Sequence, residues 1–103
     1  MRHEDCFIAA DEMTAYVCTK ELPEWTAAQF PQQIAQVGTY ARLQVLAGSF
    51  RFCAYDGQGN AVYEEIFDTA HQQTLLKPNV RHTAAALSDD TVCRLQLYQA
   101  KAT

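Results

Sequence analysis

His82 carries the clearest chemistry in this chain of 103 residues. It closes the run Pro78-Asn79-Val80-Arg81-His82 and opens a strand-like stretch that runs through Leu87. A neutral imidazole is a good ligand for a transition metal and a good hydrogen-bond partner in a pocket. One histidine is not a metal centre, however, because such a centre takes three or four ligands. His3 and His71 lie in polar sequence and read as surface groups. Glu64 and Glu65 are neighbours in a strand pattern, so they point to opposite faces and cannot form a carboxylate pair on one face. One of them can face inward, beside His82, as an acid–base partner. Cys6, Cys18, Cys53 and Cys93 are far apart and form no CxxC pair. They read as thiols rather than zinc ligands, and three of them fall in strand-like runs as small buried hydrophobes. The glycines of Asp56-Gly57-Gln58-Gly59-Asn60 lack the Lys, the Ser or Thr and the following helix of a phosphate loop.

The elements that must position these groups read as strands. Tyr40 to Tyr55 is the organising stretch. Leu43 and Val45 alternate with Arg42 and Gln44; after Gly48, Phe50, Phe52 and Ala54 alternate with Arg51, Cys53 and Tyr55. A period of two across a glycine predicts two strands joined at a bend. Arg42 is expected to point outward, to a salt bridge or a partner subunit. Asp56 to Asn60 predicts a hairpin turn, with Ala61–Phe67 as the return strand. Further strands are expected over Thr14–Thr19, Gln32–Val37, Thr74–Lys77, His82–Leu87 and Thr91–Tyr98. Residues 1–13 read as an irregular or edge segment, and Lys20–Pro31 as an ordered loop. Trp25 in that loop is expected to cap the core with its indole N–H hydrogen-bonded. No helical pattern of useful length is present. Many short strands with polar turns predict an all-β antiparallel sandwich or barrel.

Composition bounds the function. Hydrophobic residues make up 49%, enough for a packed core in one domain. Eight basic against twelve acidic residues give a net charge of -4, which excludes a nucleic-acid or anionic-membrane surface. No run is long and apolar enough to cross a membrane, and the acidic N-terminus does not read as a signal peptide, so a cytoplasmic location is expected.

Several ordered blocks then resemble the small domain of the TehB/YeaR-like tellurite-resistance family. They are YARLQVLAGSFRF, VYEEIFD, KPNVRH and SDDTVCRLQLY, preceded by TAYVCTKELPEWTAAQFP with its Pro-x-Trp. The resemblance covers residues 14 to 98 and implies a cupin-like double-stranded β-helix, or jelly roll, over residues 14–100. It implies that His82 stands where the second cupin motif places a metal-binding histidine. Before Gly38, where a further cupin histidine is expected, this chain has Gln32-Gln33-Ile34-Ala35-Gln36; it has Ala41 where cupins often place a carboxylate. Some family members carry a following methyltransferase domain that uses S-adenosylmethionine, and that activity is not carried over to this chain.

The expectation is therefore a non-enzymatic, cupin-like binding protein of the stress-response or tellurite-resistance type. It would hold a small molecule or oxyanion in the barrel mouth, near His82, Gln33 and Gln36. The alternatives are a metal-dependent cupin enzyme with His82 ligating zinc, nickel or iron, and a homodimeric interaction module pairing through exposed sheet edges.

Overall fold

In the computed structural model, which describes residues 2–30 and 39–101, two antiparallel sheets enclose the core. The first contains β1 (Tyr16–Glu21), β2 (Trp25–Thr26), β3 (Tyr40–Ala47) and β7 (Val92–Ala100). The second contains β4 (Ser49–Tyr55), β5 (Ala61–Asp68) and β6 (His82–Ala86), with β4 central. In the first sheet β7 is the spine. β1 pairs with its residues 96–100 and β2 with its residues 92–93, while β3 pairs with residues 92–98.

The organising stretch joins the two sheets. Ala41, Leu43 and Val45 of β3 are buried, as are Phe50, Phe52 and Ala54 of β4. Gly48 turns the corner between them with φ of 72°, a left-handed conformation that a side chain disfavours. Thr91 packs beneath the corner, wholly buried. Its hydroxyl donates to the Ser49 carbonyl at 3.0 Å and accepts from the Ser49 N–H at 3.3 Å. The alternating pattern is thus converted into two facing apolar surfaces, joined in the core by Phe67, Ala84, Cys93 and Leu95.

The predicted hairpin forms. Asp56 Oδ1 accepts from the N–H groups of Gln58 and Asn60, both at 2.9 Å, and Gly59 has φ of 85°. Trp25 packs on the core, edge to face with Phe30 at 6.0 Å between centroids.

Residues 1–13 depart from a loose edge. His3–Cys6 form one helical turn, and Ala10–Ala15 a 3-10 turn. Cys6, at the end of the first turn, and Phe7 and Ile8 after it enter the core. Phe7 lies 4.9 Å from Phe52 and 5.6 Å from Phe67 between ring centroids. The backbone is tied to the stretch before β6: Ile8 N–H donates to Leu75 O at 3.0 Å and Lys77 N–H to Cys6 O at 2.8 Å.

Thr74–Lys77 is not a strand. Leu76 makes single bridges to Phe7 and Ala41. The residues just before it reach β3 through side chains instead. Gln72 Oε1 accepts from Val45 N–H at 2.9 Å, and its Nε2 donates to Val45 O at 2.8 Å. The strand expected over Gln32–Val37 lies outside the described residues.

Candidate functional site

Pro78 stops the preceding segment, because its fixed ring removes a backbone donor. Asn79 then takes φ of 67°, a left-handed conformation that asparagine tolerates better than most residues. This turn delivers His82 to the start of β6, opposite Ala54 of β4. The ring of His82 stacks on Phe52 at 5.4 Å between centroids and is only 9% exposed.

The Val80 carbonyl lies 2.8 Å from His82 Nδ1. A carbonyl can only accept, so Nδ1 carries the proton. Nε2 is then a bare acceptor in the neutral ring. Burial pushes the imidazole below its ordinary value of 6.5, with the Val80 hydrogen bond opposing that shift.

The sign of the pH effect follows. The unfolded chain binds the His82 proton more readily than the folded chain, so this group's stability contribution is full above about pH 6.5 and is lost as pH falls toward the folded value. Urea unfolding of His82→Phe, compared with the parent protein at pH 7.5 and pH 5, is expected to show a smaller loss on acidification. An unchanged loss would mean that His82 is not buried as a neutral group.

His82 lines a cavity of about 20 Å³ between the sheets, together with Ala41, Leu43, Phe50, Phe52, Gln73, Leu76, Ala84 and Leu95. The walls are apolar except at His82 and Gln73. Sequence reasoning missed Gln73. It is 5% exposed, and its Nε2 donates to Leu43 O at 3.1 Å. Its Oε1 is buried without a hydrogen-bond partner. Among the described residues Arg42 pairs with no carboxylate: its Nε–H donates to the Gln73 backbone carbonyl at 3.2 Å, holding the residue that lines the cavity.

The carboxylates separate as the strand pattern requires. Glu64 is exposed and pairs with Arg51 at 3.8 Å. Glu65 is largely buried but does not partner His82. His71 Nε2 lies 2.5 Å from one of its oxygens and His3 Nε2 3.6 Å from the other, which also accepts from the Tyr63 hydroxyl. Burial and that bond to Glu65 push the Tyr63 phenol upward. His3 and His71 are surface groups, as expected, with side chains 43% and 59% exposed, yet both turn onto one carboxylate.

Burial pushes the thiols of Cys6 and Cys93 up, Cys93 to about 12, and the Asp5 charge adds to the effect at Cys6. Neither is a reactive thiolate at neutral pH. Cys18 is exposed.

Among the described residues the donor set does not fit a transition-metal site on His82. Its described cavity neighbours are apolar apart from the Gln73 amide, so they supply none of the further ligands such a site takes. Among the described residues no group of three or more His, Cys, Asp or Glu side chains is arranged to hold a metal ion. Gln33 and Gln36, expected near the pocket, lie outside the described residues.

The sequence model of the TehB-like domain matches residues 20–95, most of the chain. The chain belongs to the TehB-like domain family. TehB proteins of two Haemophilus influenzae strains, named as probable S-adenosyl-L-methionine-dependent methyltransferases, are 34% and 33% identical to it over 87 residues. Those matches cover 80% of this chain but 30% of each relative, so the TehB-like chain spans less than a third of their length. The crystal structure of Haemophilus influenzae TehB superposes with a TM-score of 0.76 at 30% identity, covering 84% of this chain and 32% of that one. A protein from Escherichia coli strain K12 shares the fold, with a TM-score of 0.73 at 20% identity, over 85% of this chain and 94% of that protein. No helix among the described residues of this TehB-like domain is long and apolar enough to cross a membrane.

Proposed function

We propose that this domain is a cupin-like jelly roll that binds a small molecule or oxyanion between its two sheets, in the setting of tellurite resistance or stress response. The observation that carries the reading is the inter-sheet cavity, apolar on all sides except for the buried His82 and Gln73. Ligand pockets share that composition, with a mostly apolar wall and a few placed polar groups that set orientation. Binding rather than methyl transfer is the part assigned to this chain. Among the described residues the α-helix has four residues, too short for the strand, glycine loop and helix that hold nucleotide-type cofactors.

The test is a panel of small polar molecules, neutral and anionic, with tellurite among them, titrated at millimolar concentration. Melting temperature and the side-chain nitrogen signals of His82 and Gln73 are followed together. A binder of the native state must raise the melting temperature. At least one member is expected to do so while moving both side-chain signals saturably, and His82→Phe is expected to weaken the response. A panel that moves neither signal would overturn the reading.

A further inference from the structure

We propose that the cavity selects a small neutral hydrogen-bond donor, a primary amide or an alcohol, which donates to Gln73 Oε1 and His82 Nε2. This rests on the reading of the cavity as a binding site and names the chemistry of its occupant.

The orientation of the Gln73 amide is fixed by its surroundings. The Leu43 carbonyl accepts from it at 3.1 Å, so the NH2 group must lie on that side and the oxygen on the other. That oxygen is buried and lacks a partner among the described residues. A buried polar atom without a partner is rare and costly, and it is a demand for a donor. His82 offers a second acceptor at the cavity wall. Its Nδ1 proton is committed to Val80, which leaves Nε2 with a lone pair and no hydrogen-bond partner among the described residues.

Charge narrows the choice. None of the described lining side chains is a Lys or Arg, so an oxyanion would bring acceptors to acceptors without a counter-charge. None is an Asp or Glu, so a buried ammonium would go unpaired. A neutral donor satisfies both groups and buries no charge. Size narrows it further: about 20 Å³ accommodates a head group only one or two waters in size.

Formamide and formate test the inference, because they share a planar shape and differ in that formamide carries N–H donors. So small a ligand binds no tighter than the millimolar range. Formamide is expected to shift the Gln73 side-chain amide and the His82 ring nitrogens saturably, while formate leaves them in place. A formate response equal to or larger than that of formamide would overturn the donor assignment and leave the cavity standing as a binding site. No response to either would also overturn it, and the wider panel then decides separately whether the cavity binds anything.

Gln73→Met keeps the length and removes the acceptor. It is expected to weaken formamide binding about fivefold to tenfold. If that variant fails to fold because the Leu43 carbonyl loses its donor, His82→Phe replaces it. The phenyl ring keeps the stack on Phe52 and removes Nε2, and formamide binding is expected to weaken by a similar factor. Unchanged affinity in the variant that folds would count against the proposal.

Discussion

Gly48→Ala is expected to destabilise the protein by more than about 3 kcal/mol. The left-handed backbone costs a non-glycine residue about 1–2 kcal/mol. The larger part is steric. A Cβ at this position would lie 2.5 Å from Thr91 Oγ1 and 2.7 Å from Thr91 Cα. The second atom is backbone, so no rotamer change relieves the overlap. The first is held by its two hydrogen bonds to Ser49. Relief requires β4 and the start of β7 to move apart at the point where the chain passes from one sheet to the other. Against a typical total stability of about 5–15 kcal/mol, such a loss unfolds a large share of the molecules of a marginal domain. Two other glycines serve as controls. Gly59 has positive φ but open space around its Cβ position, so Gly59→Ala is expected to cost only the backbone strain, about 1–2 kcal/mol. Gly57 has open space and no positive φ, so its alanine variant should lie within about 0.5 kcal/mol of the parent. Urea midpoints of the three variants give the comparison. If Gly48→Ala falls beside Gly59→Ala, Thr91 does not sit against this corner.

Phe7→Ala is expected to cost about 3–5 kcal/mol, the usual range for deleting a buried phenyl ring. The ring is 1% exposed and lies against Phe52, Phe67 and His3. Its loss would leave a void on the Phe52 ring that stacks on His82, and would loosen the bridge from residue 7 to Leu76, which lines the cavity. The melting temperature should therefore fall, and the His82 ring signals should shift or broaden. Asp11→Ala, four residues away on the exposed 3-10 turn, should change stability by no more than about 0.5 kcal/mol. A Phe7→Ala cost below about 1 kcal/mol would show the N-terminal segment to be an accessory to the core rather than part of it.

The strands that frame the cavity were legible because their alternation has no competing period. Leu43 and Val45, then Phe50, Phe52 and Ala54, repeat at every second position on either side of a glycine, and all five are buried. Residues 6–8 were not legible for the opposite reason. Cys-Phe-Ile is too short to show a period, and its burial depends on backbone bonds to residues 75 and 77, far along the chain. Residues 74–77 read as a strand from their composition, but only Leu76 bridges β3 by its backbone, and the partners before it are the side chains of Gln72 and Gln73, which leave no trace in a hydrophobicity pattern.

Within the site, His82 was legible from its chemistry and from the Pro-Asn turn before it. Gln73 was not, since a glutamine in a polar connection reads as solvated. Only the folded chain shows that the Leu43 carbonyl captures its NH2 group and leaves its oxygen inside. Glu65 was rightly separated from Glu64, but its partners come from residues 3, 63 and 71 rather than from β6. That arrangement depends on the N-terminal turn, whose packing the pattern did not show.

The amide of Gln72 does more than fasten a loop. With one N–H and one C=O facing Val45, it counterfeits a single residue of a neighbouring strand. A row of vacant peptide groups on an outer strand is a template on which other chains can assemble. At Val45 both positions of that template are already filled, by a side chain of the same molecule. Another copy offering an extended segment finds no docking rail at this point. Growth of one sheet into the next copy, the step that leads from edge pairing to fibres, is blocked at Val45. Among the described residues the other outer strands of the two sheets are β1, β2, β5 and β6.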